Sequence, residues 1–113
     1  MAHFDAQHKA VLDDLLLGRP LVRAGKAFGY PAYFVGKKMC ICVYEAGVGI
    51  KLPQPTADRL LAEDSSVTPF VPLGRRRMRQ WVQITLADSE DYRRYQAVFE
   101  ESIRYVASLA EGD

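Results

Sequence analysis

Four arginines crowd into five positions of this 113-residue chain, at Arg75, Arg76, Arg77 and Arg79. Guanidinium groups at that density create a local positive field and offer bidentate donors to phosphate or carboxylate. Trp81 follows Arg79 by two positions, so on a strand the two would share a face. There the indole could stack a base beside the arginines, or pack half-buried against a helix. Residues 19–51 add Arg19, Arg23, Lys26, Lys37, Lys38 and Lys51 against Glu45 alone. If a sheet brings the two groups together, one side of the molecule becomes positive although the net charge is only +1. The same arginines would serve equally as a solvated turn that keeps a sheet edge from pairing. Tyr30, Tyr33 and Tyr44 pose the same choice between stacking and packing. The aromatic signature of single-strand readers is missing.

No other residue group makes a catalytic or metal-binding pattern. Cys40 and Cys42 stand two apart in an apolar run. On a regular strand they would share a face with Cα atoms roughly 6.5–7 Å apart, at or beyond the reach of an unstrained disulfide. They read as small core residues. His3 and His8 lie five apart on a predicted helix and so on different faces, which suits no metal. Asp13 and Asp14 diverge around the same helix. Ser65 and Ser66 lack a glycine elbow. The recurring glycines fit turns rather than a phosphate-cradling loop. The expectation is a protein with no catalytic residues, no metal and no cofactor.

The elements that must position the arginines follow from periodicity. At this length one domain is expected, and a composition 49% hydrophobic and 26% charged is that of a folded chain. There is no basic stretch leading into an apolar one, and the apolar runs fall far below the roughly 18 residues of a membrane span. Together with the absence of a disulfide framework, this predicts a cytoplasmic protein with no membrane contact. Phe4, His8, Val11, Leu12, Leu15 and Leu16 predict an amphipathic helix over 4–17, ended by Gly18 and Pro20. Residues 21–25 are expected to turn. Strands are expected over 26–28, 32–35, 38–45 and 48–52, with turns at 29–31, 36–37 and 46–47. The third is apolar on both faces and should be central. A short helix over 56–64 leads to an edge piece at 68–71, flanked by Pro69 and Pro72. A turn at 74–77 precedes a last strand over 78–86. Asp88 caps a final helix whose stripe is Tyr92, Tyr95, Phe99, Ile103, Val106 and Ala110, with Glu90–Arg94 and Glu100–Arg104 pairs on its wet side. The fold class is α+β: an antiparallel meander of five to six strands with N- and C-terminal helices packed on it.

Within that frame, Ala27-Phe28-Gly29-Tyr30, then Tyr33-Phe34-Val35-Gly36-Lys37-Lys38-Met39, then Gly49-Ile50-Lys51-Leu52 resemble the pattern "MFGG…GLYVDGKMFA…LYLK". That pattern belongs to the N-terminal domain of the TfoX competence regulators and their stand-alone relatives. Pro69-Phe70, Gly74-Arg75, Met78 and Trp81-Val82 are similar to the later "PF…GRPM…W" segment of that family. Tyr30 departs from its second glycine, and Arg76-Arg77 stands where a single proline is common. The MmcQ/YjbR-like proteins share the arrangement and are the second choice. The resemblance implies helices on a curved sheet and a regulatory or binding role associated with DNA, without established catalytic residues. The partner would be nucleic acid or another anionic molecule at the basic turn, or a second copy in a homodimer. The alternatives are a small-ligand protein or enzyme with an arginine-lined anion site, and a protein-interaction domain.

Overall fold

The computed structural model describes residues 2–72 and 76–111, with side chains to 109. Arg75 and the first half of the predicted 74–77 turn lie outside the described residues, as does the Ala110 side chain. Asp5 opens α1 (Ala6–Leu16), its carboxylate accepting from the backbone N–H of Gln7 at 2.8 Å and of His8 at 3.2 Å. Four strands then run as a meander: β1 (Val22–Ala27), β2 (Tyr30–Val35), β3 (Lys38–Tyr44) and β4 (Gly47–Lys51). Helix α2 (Gln54–Glu63) carries the chain to β5 (Val67–Pro69), and β6 (Trp81–Ile84) returns between β4 and β5. The sheet order is β1-β2-β3-β4-β6-β5, antiparallel throughout. A 3-10 helix (Ser89–Tyr95) and α3 (Gln96–Glu111) close the chain. This is the α+β architecture read from the sequence, with helices at both ends.

All three α-helices pack on one face of the sheet. Val11, Leu12 and Leu16 of α1, Ala57 of α2, and Phe99, Ile103 and Val106 of α3 join Tyr33, Val35, Ile41, Val43, Val48, Ile50, Val82 and Ile84 in a single core. Three side-chain ties lock that layer. Tyr33 Oη donates to Asp13 Oδ1 at 2.5 Å, Tyr95 Oη donates to Asp64 Oδ2 at 2.7 Å, and Ser102 Oγ donates to the carbonyl of Cys40 at 3.2 Å. The other face carries no α-helix among the described residues. It buries a smaller cluster of Tyr30, Ala32, Cys42, Tyr44, Phe70 and Trp81, closed by Met39, Met78 and Phe34. Gly49 makes room for it: a Cβ there would meet the Phe70 ring at 2.9 Å and Cys42 Sγ at 3.0 Å. Gly49 is thus needed for the close approach of side chains rather than for a turn.

Several expectations need correction. The segment 21–25 is mostly strand, because β1 starts at Val22 opposite Val35. Tyr30 and Pro31 belong to β2, and the hairpin turn is the pair Phe28 (φ 54) and Gly29 (φ 85), the left-handed pair of a type I′ turn. Cys40 and Cys42 do not share a face. The register slips between Tyr33 and Phe34, Met39 and Ile41 each find a partner on β2, and Cys40 is the unpaired bulge residue that turns into the helix-side core. The last strand spans four residues, since Gln80 at φ 62 breaks it before Trp81. The final helix begins as a 3-10 turn, where residues three apart align. Its ion pairs are accordingly Glu90–Arg93 and Asp91–Arg94, while Glu100 pairs with Arg19 of the α1–β1 loop.

Candidate anion-binding rim

Strand direction decides where the basic residues go. β2 ends and β3 begins at one end of the sheet, and β4 ends there too, because Ile41 lies opposite Ile50 and Tyr44 opposite Gly47. β6 starts at the same end, with Trp81 opposite Lys51. That rim thus collects Lys37 at the β2–β3 tip, Lys51 at the end of β4, and the 76–80 approach to β6. Lys37, Arg76, Arg77 and Arg79 are exposed, and Lys51 is half-buried on the helix-free face. Met78 N–H donates to the Phe70 carbonyl at 3.0 Å, and Leu52 N–H donates to the Gln80 carbonyl at 2.8 Å. These bonds fix the arginine segment on both sides of Arg79.

Arg77 and Arg79 line one hollow together with Gln54 and Asp58 at the start of α2. Helix α2 has Pro53 as its N-cap and no side-chain cap. Its first N–H groups and its dipole therefore add positive potential where the two guanidiniums stand. Asp58 is the one carboxylate lining this hollow, and it accepts from Gln54 Nε2 at 2.9 Å. Among the described residues, Arg76, Arg77, Arg79, Lys37 and Lys51 make no ion pair.

The other basic residues named from sequence scatter. Lys38 lies opposite Val35, on the side of the helices. Arg19 is held by Glu100. Arg23 reaches this end of the sheet but is engaged: Nη2 donates to the Gly36 carbonyl at 2.9 Å and the guanidinium lies 5.0 Å over the Phe34 ring. Lys26 lies near the far end of β1. Trp81 is buried at 4% exposure with its ring 5.5 Å from that of Phe70. It packs neither on a helix nor beside Arg79, because the chain turns between them. Tyr30, Tyr33 and Tyr44 are buried as well.

One pairing of chemical groups escaped the sequence. His8, 1% exposed, sits between Ser89 and Ala46. The Ala46 carbonyl, 3.2 Å from Nε2, can only accept. Nε2 therefore carries a proton, and Nδ1 is hydrogen-bonded to the Ser89 hydroxyl at 2.5 Å. Asp5, Asp88 and Glu90 surround the mouth beside Ser89. An oxyanion forming there would face carboxylates, the reverse of what acyl transfer needs. The ring also packs edge-on against Tyr92, at 4.7 Å between centroids. Together these contacts tie α1 to the 3-10 helix and explain a histidine in the apolar stripe. Among the described residues no group of three metal-ligating side chains occurs, and no helix is long and apolar enough to cross a membrane. No family model matches the chain, and neither a curated protein nor a solved structure does.

Proposed function

We propose that this chain is a non-catalytic binding domain that holds a phosphate-bearing polymer, nucleic acid in the first instance, along the basic rim of its sheet. The observation that carries this reading is the convergence of Lys37, Lys51, Arg77 and Arg79 at one sheet end without ion-pair partners among the described residues. Free guanidiniums beside an uncapped helix start match phosphate oxygens in charge and in donor geometry. Buried aromatics remove base stacking by Trp81 from the mechanism, so the contacts would be to the backbone and largely indifferent to sequence. The reading agrees with the resemblance to the TfoX N-terminal domain and with a regulatory role in the cytoplasm.

The test is fluorescence anisotropy with labelled single- and double-stranded DNA over a salt series. Four phosphate contacts give a slope of log Kobs against log salt of about −3 to −4. Changing Arg76, Arg77 and Arg79 together to serine abolishes binding and leaves the melting temperature unchanged, since all three are exposed. Binding that survives in this variant, or that ignores salt, removes the rim from the function.

A further inference from the structure

The two edges of the sheet are protected very differently. β5 is three residues long, ends in Pro69 and lies against α2. Short length and proline both discourage pairing with another chain. β1 has neither device. It runs six residues in unbroken register with β2, contains no proline, and has no other neighbour in the sheet. Apart from the Val22 N–H, which donates to the Arg19 carbonyl at 3.2 Å, its outward backbone groups have no partner among the described residues.

The residues that bracket β1 are the two most exposed large apolar side chains described, Leu21 at 61% and Phe28 at 82%. Each adjoins a hollow. Phe28 borders an apolar recess with Ala27, Tyr30, Met39, Phe70 and Met78. Leu21 borders a second hollow, with Pro20, Ile103, Arg104 and the Arg19–Glu100 ion pair. Neither burial nor backbone accounts for a phenylalanine at 28. Its φ of 54 is the left-handed region, where asparagine or glycine is at ease and a bulky side chain is strained. Strain kept at an exposed position points to contact with something outside the chain. Between the two apolar brackets stand Lys26 and Arg23, which keeps its charge and its remaining N–H groups while Nη2 donates to the Gly36 carbonyl, and no acidic residue occurs anywhere between Asp14 and Glu45.

We infer that β1 is a docking edge for an extended acidic segment of a partner protein. That segment adds a seventh strand, sets acidic side chains against Arg23 and Lys26, and places an apolar residue in each flanking hollow. Backbone hydrogen bonds supply affinity in this mode, and the alternate side chains supply selectivity. Leu21 and Phe28 are about 23 Å apart along an extended chain, so the segment needs about eight residues. A second copy fits poorly. β1 holds no acidic residue to set against Arg23 and Lys26, so two copies would bring only positive charge to the seam.

The experiment pans a random twelve-residue peptide library on the immobilised full chain, then follows backbone amide exchange with the recovered peptide. The expected peptides carry acidic residues between two apolar ones and slow exchange at residues 22–27. Reversing Arg23 and Lys26 to glutamate should weaken them by about tenfold or more. Phe28→Asn separates binding from folding: it builds the favoured Asn-Gly turn, so it holds or raises the melting temperature while weakening the peptide. Recovery of neutral or basic peptides, or of none, overturns the inference. So does unchanged exchange at 22–27, or a Phe28→Asn variant that binds as well as the parent. Protection of β1 by added protein alone, or by single-stranded DNA alone, would assign the edge to a second copy or to nucleic acid and overturn it too.

Discussion

The hydroxyl of Tyr33 donates to Asp13 Oδ1 across the helix–sheet boundary at 2.5 Å, while Lys9 holds the other oxygen of the same carboxylate at 2.7 Å. The tyrosine is 1% exposed, and the lysine and carboxylate side chains are 44% and 30% exposed. The two bonds to one carboxylate should therefore differ in weight. Hydrogen bonds to charged groups contribute more than neutral ones, and an exposed ion pair contributes little. Tyr33→Phe should lower stability in urea by about 1–2 kcal/mol, against about 0–0.5 kcal/mol for Lys9→Ala. Equal losses for the two variants would mean that the helix is not anchored through Tyr33.

The two thiols lie in separate cores, and burial pushes each of them up to about 12. Both should resist a thiol reagent at pH 8 in the native protein and react together once urea unfolds it. The same shift fixes the sign of the alkaline response. Above the ordinary thiol range near pH 9 the unfolded chain releases protons that the native state retains. Stability is thus full below about pH 9 and falls as the pH rises toward about 12. Burial and the neighbouring Asp13 hold the Tyr33 phenol above its usual value, so it extends the loss to higher pH in the same direction. A Cys40→Ala, Cys42→Ala double variant should show a flatter decline between pH 9 and 12 in urea titrations; an unchanged slope would place both thiols in contact with water.

The meander was legible because β2 to β4 are apolar runs punctuated by glycine turns, and each buries most of its residues. β1 was only partly legible for the opposite reason. Val22 is its single buried residue, and an edge strand facing water carries little hydrophobic signal. The first hairpin turn falls at Phe28-Gly29 rather than at 29–31 because a phenylalanine with positive φ is not a turn residue by propensity. The bulge at Cys40 inverted the facing of one cysteine without any mark in composition. At the candidate site, the density of arginines was visible but their company was not. Only the register of β3, β4 and β6 shows that Lys37 and Lys51 join the rim and that Lys38 turns to the helix side.

Trp81 offers a direct way to separate contact at the rim from stacking on the sheet. The chain contains one tryptophan, so its emission reports one site. That site is 4% exposed, with Phe70 at 5.5 Å between ring centroids and Lys51 opposite on the next strand. An indole so enclosed should emit at short wavelength and escape quenching by iodide. Phosphates held by Lys37, Lys51, Arg77 and Arg79 need no movement of that ring. Saturation with DNA should leave the emission maximum and the iodide response unchanged, while anisotropy of the labelled DNA rises and then falls with salt. A base stacked on the indole would instead quench it in step with binding, because stacking requires the ring to leave Phe70. Quenching that follows the binding curve would move the contact from the rim to the helix-free face.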